Sequence, residues 1–326
     1  MVLVTGASGF LGGELVKQLV ANGEQVRIII REKSNINHLD AIKDKLEIFQ
    51  ADILDIPSLE IALEGVDEVY HSAAIISYAN RNYDAMYKCN VEGTANLVNL
   101  SIEKNIKKLV HISSIAAIGG KPNECITEET KWEKNRWTTQ YGITKMLAER
   151  EIWRGVAEGL NAVIVNPGII IGAGRDNKAT MRVFNLIAQV KMPFYSIGTN
   201  GFIDVKDVAQ CSIQLMKQTV SAQRFILIAG NYSFKYYFET IAKNFQVKPP
   251  KWKLNKYIGK IAVTADWFIS FLKRKEPSLT NENMKVSLEN FEYSKEKIKQ
   301  QLAYTFIPIE QSIQEIVSHI KTTKSY

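Results

Sequence analysis

Short apolar runs alternate with longer amphipathic stretches through the first half of the chain. The apolar runs have the length of β-strands, and they read MVLV, QVRIIIR, LEIFQADI, DEVYHSAA, KKLVHISS and NAVIVNP. The stretches between them place apolar residues at helical spacing, and the main ones read SLEIALEG, YDAMYKCNVEGTANLVNLSIEKN and TQYGITKMLAEREIWRGVAEG. Strands that alternate with helices predict an α/β fold, built on a doubly wound parallel sheet with helices on both faces.

This alternation becomes less regular after Pro167. The segments GFIDVKDVAQCSIQLM and RFILIAG still indicate strand and helix, whereas the sequence from Tyr232 onward is mainly helical in pattern and richer in lysine. We therefore expect residues 1–167 to form the main domain, with a later segment at about 201–230 returning to it. Residues 168–326 are expected to form mainly a smaller, largely helical lobe that closes over the cleft.

Three glycines in the segment TGASGFLG follow the first apolar run. Gly6, Gly9 and Gly12 recur at every third position, and the amphipathic segment after them ends near Gly23, where a helix C-terminal glycine is expected. A tight strand-to-helix turn needs a positive φ angle, and a backbone that a phosphate approaches closely cannot carry side chains. The helix N-terminus adds N–H donors and a partial positive charge. The segment therefore predicts a dinucleotide-binding loop, although its spacing differs from the common G-x-G-x-x-G.

The composition is that of a globular protein and gives little support for a nucleic-acid or membrane partner. The chain has 326 residues, 46% of them hydrophobic and 23% charged, and its net charge is +7. It contains no helix-turn-helix or zinc-finger motif, so we expect no nucleic-acid partner. No apolar run reaches the roughly 18 residues of a membrane span, and no basic-then-apolar leader precedes the strand at Val2. We therefore expect a cytoplasmic protein without stable membrane insertion.

The positions of cysteine and histidine argue against a disulfide framework or a metal site. Cys89, Cys125 and Cys211 are far apart and odd in number, which favours a reducing compartment. The histidines show no metal-ligand spacing, and His71 and His111 lie inside apolar, strand-like runs. We interpret these two histidines as structural and expect no metal ion.

Two segments carry residues suited to proton transfer. The segment YGITK places Tyr141 and Lys145 on one face of a predicted helix. An ammonium beside a phenol favours the phenolate and lowers a tyrosine pKa that is normally about 10. Tyr141 could then exchange a proton with a substrate oxygen near neutral pH. Ser113 and Ser114 follow the strand of KKLVHISS, where one of their hydroxyls could hydrogen bond to the same oxygen.

The glycine loop, the serine pair and the Tyr-x-x-x-Lys pattern together resemble the extended short-chain dehydrogenases/reductases, which have a Rossmann-type fold. The resemblance spans nearly the whole chain and includes NVEGT, at 90–94, and NPGIIIG, at 166–172. GFIDVKDVA and the C-terminal tail look most like the dihydroflavonol-4-reductase and 3β-hydroxysteroid dehydrogenase branch. Thr144 and Asn166 replace a frequent serine and arginine, and Ala303 stands where glycine is frequent. The missing arginine weakens any expectation of nucleotide-sugar contacts.

The resemblance implies a catalytic trio and a cofactor site. Ser114 would orient the substrate oxygen, Tyr141 would transfer the proton, and Lys145 would tune Tyr141 and hold the nicotinamide ribose. Residues 1–167 would bind the cofactor, residues 168–326 would mainly bind the substrate, and a homodimer is a family expectation. The implied cofactor-binding residues are Gly6, Ser8, Gly9, Phe10, Leu11, Gly12, Asp52, Ile53, Ala73, Ala74, Asn90, Ser113, Tyr141, Lys145, Pro167, Gly168 and Ile170.

The end of the second predicted strand favours NADP(H) as the cofactor. An NAD-preferring loop usually offers Asp or Glu about 20 residues after the glycines. Arg31 occupies that place here, with Lys33 nearby, and a guanidinium can hold a 2′-phosphate through two hydrogen bonds. Glu32 follows Arg31 and could serve the NAD role instead, so NAD(H) stays possible.

Three functions are compatible with these motifs. The first is an NADP(H)-dependent oxidoreductase that interconverts a carbonyl and an alcohol on a small, largely hydrophobic ketone or aldehyde. The second is a nucleotide-sugar epimerase or dehydratase that keeps NAD tightly bound. The third is a non-catalytic dinucleotide sensor or structural subunit, which we rank lowest because such proteins usually lose the tyrosine or the lysine, and both are present here.

The segment Pro249–Lys275 bears on what enters the substrate site. Its apolar stripe at helical spacing consists of Ile258, Ile261, Ala262, Ala265, Phe268, Ile269 and Leu272. We interpret the stripe first as a lobe helix packed on the core. Part of it, with Trp267 and Phe271, could instead line an apolar substrate site or contact a membrane surface through the lysines of the segment.

Overall fold

A seven-stranded parallel sheet forms the centre of the molecule. The computed structural model describes residues 1–174, 178–254, 259 and 280–323. The strands of the described residues are β1 (Val2–Thr5), β2 (Val26–Ile30), β3 (Leu46–Gln50), β4 (Glu68–His71), β5 (Lys108–Ile112), β6 (Cys125–Ile126), β7 (Ala162–Pro167), β8 (Ile169–Ile171), β9 (Phe194–Tyr195), β10 (Thr199–Asp204), β11 (Gln223–Leu227), β12 (Gly230–Ser233), β13 (Trp252–Lys253) and β14 (Glu292–Tyr293). The central sheet has the order β11-β7-β5-β4-β1-β2-β3, with all neighbours parallel. This confirms the predicted doubly wound sheet.

Helices cover both faces of this sheet. Those of the described residues are α1 (Phe10–Ala21), α2 (Ile56–Ala62), α3 (Tyr83–Tyr87), α4 (Gly93–Glu103), α5 (Gln140–Ala157), α6 (Lys178–Ala188), α7 (Val205–Lys217), α8 (Phe234–Phe245), α9 (Asn281–Ser287), α10 (Glu296–Leu302) and α11 (Ile309–Thr323). A 3₁₀ segment, Asn37–Lys45, precedes β3. The long central helix that the sequence predicts is divided, because a π-helical turn at Lys88–Glu92 joins α3 to α4.

The apolar runs of the sequence form strands that are buried on both faces. Every residue of β1, β5 and β7 is buried. On one face the sheet packs against α1 and α7, which contribute Leu15 and Val208 to the core. On the other face it packs against α2, α4 and α5, with Leu59, Leu97 and Ile152. Continuous rather than alternating hydrophobicity is what a sheet covered on both faces requires.

A second, smaller core lies beyond the central sheet. The chain leaves β7 at Pro167 and enters a three-stranded sheet of order β12-β10-β8, in which β10 is parallel to β8 and antiparallel to β12. Helices α6, α8 and α11 pack with this sheet around Phe184, Ile241 and Ile313. Helices make up most of the regular structure after Pro167 in the described residues, as the sequence pattern predicts, and this small sheet adds to them. The apolar stripe predicted between Ile258 and Leu272 lies outside the described residues.

Several later segments return to the main core. Helix α7 packs beside α1, and β11 adds the last strand to the central sheet next to β7. Ile298 of α10 is fully buried in the same core, and Leu302 packs against it. The order of the central sheet reverses between β1 and β4, which creates a crevice at the carboxyl ends of these strands. The glycine segment lies at this crevice.

Candidate active site

The glycine segment forms a tight turn between β1 and α1. Gly6 has a φ angle of +72°, and a Cβ atom on it would lie 2.7 Å from the backbone nitrogen of Ala73. A Cβ atom on Gly12 would lie 2.2 Å from the carbonyl oxygen of Gly6, so neither position accepts a side chain without a backbone shift. Gly9 caps α1, and the first turn of that helix contains no acidic residue. The N–H groups of this turn therefore fit the diphosphate of a dinucleotide.

A chain of hydrogen bonds fixes the strand ends beside this turn. The hydroxyl of Thr94 donates to the carbonyl oxygen of Asn90 at 2.6 Å, so it must accept the hydrogen bond that links it to Nε2 of His71, at 2.9 Å. Nδ1 of His71 consequently accepts from the hydroxyl of Thr5 at 2.8 Å, and that oxygen accepts in turn from the backbone N–H of Ala73. Burial and the charge of Lys145 lower the pKa of His71 to about 3. The geometry supports a structural role for this neutral imidazole.

The residues expected around the adenosine half of a cofactor lie at neighbouring strand ends. Asp52 follows β3, and its carboxylate accepts from the N–H of Leu54 at 3.0 Å. Ile53 is buried against Gly93, where a Cβ atom would lie 2.6 Å from Ile53. Arg31, Glu32 and Lys33 are exposed directly after β2. Ala73 and Ala74 follow β4, and Ser8, Phe10 and Leu11 belong to the turn and first turn of α1.

The residues expected near the nicotinamide half lie where the two sheets meet. Pro167 is the last residue of β7, and Ile170 lies in β8, the first strand of the smaller sheet. Gly168 joins them, and a Cβ atom on it would lie 2.5 Å from the carbonyl oxygen of Gly201. The glycine thus permits the close approach of the two strands at this point.

Ser114, Tyr141 and Lys145 converge at the carboxyl end of β5. The hydroxyl oxygen of Ser114 accepts from the N–H of Ala116 at 3.1 Å, and the hydroxyl lies close enough to the Tyr141 phenol to lower its pKa. The ammonium of Lys145 donates to the carbonyl oxygen of Ile112 at 2.8 Å. Thr139 accepts from the N–H of Gly142 and thereby caps α5, the helix that carries both Tyr141 and Lys145. A hydroxyl pair beside a buried ammonium can orient and protonate a substrate oxygen.

The pKa values correct one expectation from the sequence. Burial is the main effect on Tyr141 and raises the pKa of its phenol, to which Tyr78 adds, while the Ser114 hydroxyl lowers it. The net lowering expected from Lys145 is therefore wrong for the structure, because burial outweighs any effect of the Lys145 ammonium on the phenol, and that ammonium is bonded to Ile112. Burial lowers the pKa of Lys145 itself to about 8. The phenol is a proton donor at neutral pH in this arrangement.

The side chains of Asn90 and Ser113, two of the expected cofactor-binding residues, hydrogen bond to groups of the protein. The amide of Asn90 accepts from the N–H of Ile75 at 2.7 Å and donates to the carbonyl oxygen of Ile75 and to the hydroxyl of Thr144, both at 3.0 Å. Ser113 donates to the carboxylate of Glu149 at 2.5 Å. Asn90 thus ties α5 to the segment after β4, and Ser113 faces away from the Ser114 hydroxyl.

Glu149 is a functional candidate that the sequence motifs missed. Its carboxylate is 3% exposed and accepts hydrogen bonds from Ser113 at 2.5 Å and from the amide of Asn166 at 2.6 Å. The guanidinium of Arg224 lies 3.5 Å from its other oxygen. Glu149 lies four positions after Lys145 on α5, so this helical spacing was the signal that the sequence offered. The partners on β7 and β11 are too distant in sequence to be recognised.

Tyr78 and Glu282 lie on the other side of Tyr141. The rings of Tyr78 and Tyr141 meet edge to face, with centroids 6.1 Å apart. Burial and the charge of Glu282 raise the pKa of the Tyr78 phenol. Glu282, on α9, accepts from the N–H of Gln140, the first residue of α5, at 3.2 Å. The C-terminal part of the chain therefore places a carboxylate at the start of the helix that carries Tyr141.

The part of the chain that the structure describes bears on two further kinds of site, a metal cluster and a membrane-spanning helix. No group of three His, Cys, Asp or Glu side chains among the described residues could hold a metal ion. No helix of those residues is long and apolar enough to cross a membrane.

Comparison with known proteins gives a consistent set of relatives. The model of the "NAD dependent epimerase/dehydratase family" matches residues 2–229. Sterol demethylase protein B of Methylococcus capsulatus is 31% identical over 231 residues, 71% of this chain and 70% of that protein. Cinnamoyl-CoA reductase 1 of Petunia hybrida is 26% identical over 98% of this chain and 92% of its own length. A Synechocystis protein named "Putative dihydroflavonol 4-reductase" is 26% identical over 96% of this chain and 92% of its own.

Solved structures of similar shape cover almost the entire chain. The crystal structure of gox2253 superposes with a TM-score of 0.84 and 26% sequence identity, over 99% of this chain and 98% of that one. UDP-glucose 4-epimerase from Thermotoga maritima, solved with UDP-glucose, has a TM-score of 0.80 at 17% identity over 99% of each chain. At that identity the second likeness shows a common fold alone.

Proposed function

The chain belongs to the NAD dependent epimerase/dehydratase family, and we propose that it is an NADP(H)-dependent oxidoreductase that interconverts a carbonyl and an alcohol on a small, largely hydrophobic substrate. The resemblance drawn from the motifs is confirmed, and the chain is an NAD(P)-dependent enzyme of the extended short-chain dehydrogenase/reductase type. The observation that carries the proposed reaction is the convergence of the Ser114 and Tyr141 hydroxyls at the end of β5, which the buried ammonium of Lys145 also reaches.

Each member of the trio has a distinct task in this reaction. A bound nicotinamide cofactor would supply or accept the hydride. Tyr141 donates its proton to the substrate oxygen during reduction, and its raised pKa keeps that proton in place at neutral pH. Ser114 holds the same oxygen by a hydrogen bond that strengthens as negative charge develops there. Lys145 stabilises the phenolate that Tyr141 becomes after it has given up its proton.

The preference for NADP(H) rests on the charges after β2. Arg31 and Lys33 are exposed at the edge of the crevice, where the ribose 2′-position of a cofactor on the glycine turn is expected. A guanidinium binds a phosphate through paired, charge-assisted hydrogen bonds, each worth about 1.5–3 kcal/mol. Glu32 carries the opposing charge between them and would favour the free ribose hydroxyl of NAD(H).

The preference for a hydrophobic substrate rests on what surrounds Tyr141. The aromatic ring of Tyr78 lies against Tyr141, and the carboxylate of Glu282, which acts on Tyr78, would repel a sugar diphosphate. Asn166, which replaces the frequent arginine, is fully buried and bonded to Glu149. The names of two relatives, cinnamoyl-CoA reductase and putative dihydroflavonol 4-reductase, also support an aromatic carbonyl compound as the substrate, either free or as a thioester.

A substrate panel with both nicotinamide cofactors tests the proposal. We expect oxidation of NADPH with aromatic or alicyclic ketones, aldehydes or a cinnamoyl thioester, and a protein that purifies largely free of cofactor. The Tyr141→Phe variant should keep its affinity for NADPH and lose turnover by about 10²–10⁴-fold. Turnover of a UDP- or GDP-sugar with tightly retained NAD would establish the epimerase alternative instead. A Tyr141→Phe variant with unchanged turnover would contradict the mechanism and favour the sensor alternative.

A further inference from the structure

Glu149 is a carboxylate with an unusual environment for a residue outside the Tyr-x-x-x-Lys pattern. It is 3% exposed, and burial raises the pKa of its carboxyl, while the neighbouring donors lower it. Burying a carboxylate is costly unless hydrogen bonds and an opposite charge compensate for the lost water. Ser113, Asn166 and Arg224 supply this compensation, from the segment after β5 and from strands β7 and β11. Three elements of the central sheet thus converge on one side chain of α5.

The donors around Glu149 also favour its ionised form. Oε1 accepts from Ser113 and from Asn166, and Oε2 faces the guanidinium of Arg224. A guanidinium has only donors, so a proton on Oε2 would have nothing to donate to. The arrangement therefore favours the carboxylate. The same guanidinium is held in place, because Arg224 also donates to the backbone oxygen of Glu128.

The network reaches Ser114 through Asn166. The amide nitrogen of Asn166 donates to Glu149 at 2.6 Å and to the carbonyl oxygen of Ser114 at 2.9 Å. Both partners are acceptors, which fixes the orientation of the amide. Since the Ser114 hydroxyl is held separately by the N–H of Ala116, the residue is constrained at both its carbonyl and its hydroxyl. A displacement of Asn166 would therefore move Ser114 relative to Tyr141.

The network reaches Lys145 through charge. The groups that face Lys145 are Glu149 on its own helix, His71 of β4, His111 of β5 and Cys89 of the π-helical turn. Burial and Lys145 hold the pKa of both histidines well below the normal range, and burial raises that of the Cys89 thiol, so these groups are neutral around pH 7. Among the described residues, Glu149 is consequently the main negative charge that acts on Lys145 at that pH.

We propose that Glu149 is a positioning residue, which holds Ser114 in place through Asn166 and stabilises the ammonium form of Lys145. The half of this inference that concerns Ser114 rests on the proposed oxidoreductase function, because turnover is its readout. The half that concerns Lys145 is independent of that function, because the titration of a lysine can be followed without substrate.

The first experiment measures the titration of Lys145 in the protein without added ligand. The ¹³Cε resonance of Lys145, assigned by its loss in Lys145→Arg, is followed against pH in the wild type and in Glu149→Gln. The pKa of Lys145 is about 8 in the wild type, and we expect Glu149→Gln to lower it by roughly one pH unit or more. The alkaline limb of kcat should move to lower pH by the same amount.

Glu128→Gln provides the matched control. Glu128 is also a buried glutamate, and its carboxylate accepts from the N–H of Ile226 at 2.8 Å, but it is not among the charges that act on Lys145. We expect this variant to leave the titration of Lys145 unchanged. A folded Glu149→Gln protein in which Lys145 titrates as in the wild type would overturn the electrostatic half of the proposal.

Asn166→Ala tests the link to Ser114 separately and also serves if Glu149→Gln fails to fold. It removes the amide bridge and leaves the carboxylate and the guanidinium in place. We expect kcat to fall by about tenfold or more, with an unchanged Kd for NADPH and an unchanged titration of Lys145. Wild-type kcat in Asn166→Ala would overturn the link to Ser114. If the wild type reduces no carbonyl compound, the proposed function fails, and the lysine titration still decides the role of Glu149 toward Lys145.

Discussion

The side chain of Lys145 reaches from helix α5 to the end of strand β5, where its ammonium donates a hydrogen bond to the carbonyl oxygen of Ile112 at 2.8 Å. Nε2 of His111 lies 3.4 Å from the same ammonium. Ser114 lies two positions after Ile112, so this bond fixes the lysine relative to the serine. The ammonium is buried in this position, and burial lowers the pKa of Lys145.

Turnover should therefore fall as the pH rises through about 8. Burial lowers the pKa of Lys145 to about 8, so the stabilising ammonium is present below this pH and is lost above it. The phenol of Tyr141 has a raised pKa and stays protonated across the same interval. A profile of kcat for carbonyl reduction between pH 6 and 10 measures the effect. In Lys145→Arg the positive charge persists at high pH, so the remaining activity should lack this alkaline limb. If the variant showed a limb at the same pH, the loss of activity would come from the titration of a group other than Lys145.

The two adjacent serines should respond differently to removal of their hydroxyls. Ser114→Ala removes a donor to the substrate oxygen and should lower kcat by up to about 10²–10³-fold, as for one lost oxyanion donor. Ser113→Ala removes only one of the donors to Glu149, which keeps Asn166 and Arg224, so the loss of kcat should be smaller. Steady-state kinetics of both variants, with circular dichroism to verify folding, make the comparison. An equal or larger effect of Ser113→Ala would reverse the assignment.

Arg31→Gln should reduce the preference for NADPH over NADH. Loss of one charge-assisted contact to a 2′-phosphate should weaken NADPH binding by about 10- to 100-fold, because such a contact is worth about 1.5–3 kcal/mol. The affinity for NADH should change little. Fluorescence titration with both cofactors measures the ratio, and Glu32→Gln, at the adjacent exposed position, should change it in the opposite direction because it removes the opposing charge. Equal affinities of the wild type for NADPH and NADH would already contradict the proposed cofactor.

The central sheet was predictable from the sequence because its strands are buried on both faces. Short, continuous apolar runs such as those of β5 and β7 alternate along the chain with helical patterns. In that arrangement they indicate buried parallel strands. The trio was recognisable for a similar reason, since Tyr141 and Lys145 share a helix face and Ser114 follows a strand. Local patterns were sufficient in both cases.

Contacts between distant segments were not predictable. Nothing near Glu149 in the sequence indicates that Asn166 and Arg224 approach it, because both come from other strands of the sheet. Nothing near Asn90 in the sequence indicates that its amide hydrogen bonds to Ile75 and Thr144. The smaller sheet was missed because strands as short as β8 and β12 show no clear periodicity. The pKa of Tyr141 depends on burial, which the helix pattern alone does not give.

Ala303 illustrates a departure from the family pattern that the structure explains, and it yields a prediction about stability. Ala303 ends α10 in the left-handed region, with a φ angle of +48°, and its N–H donates to the carbonyl oxygen of Lys299 at 2.9 Å. A residue with a Cβ atom is disfavoured in this conformation by about 1–2 kcal/mol. Glycine avoids that penalty, which accounts for its frequency at this position.

We expect Ala303→Gly to stabilise the protein by about 0.5–1 kcal/mol, since relief of the left-handed conformation exceeds the roughly 0.5–1 kcal/mol entropic cost of a glycine. The side chain of Ala303 is exposed, so its loss removes little packing, while Ile298 of the same helix remains buried in the main core. Ala157→Gly is the matched control, because Ala157 is exposed at the end of α5 but helical, and it should destabilise the protein instead. Urea unfolding of both variants, compared at equal m-values, measures the two effects. Destabilisation by Ala303→Gly equal to that by Ala157→Gly would mean that the left-handed conformation at Ala303 carries no strain.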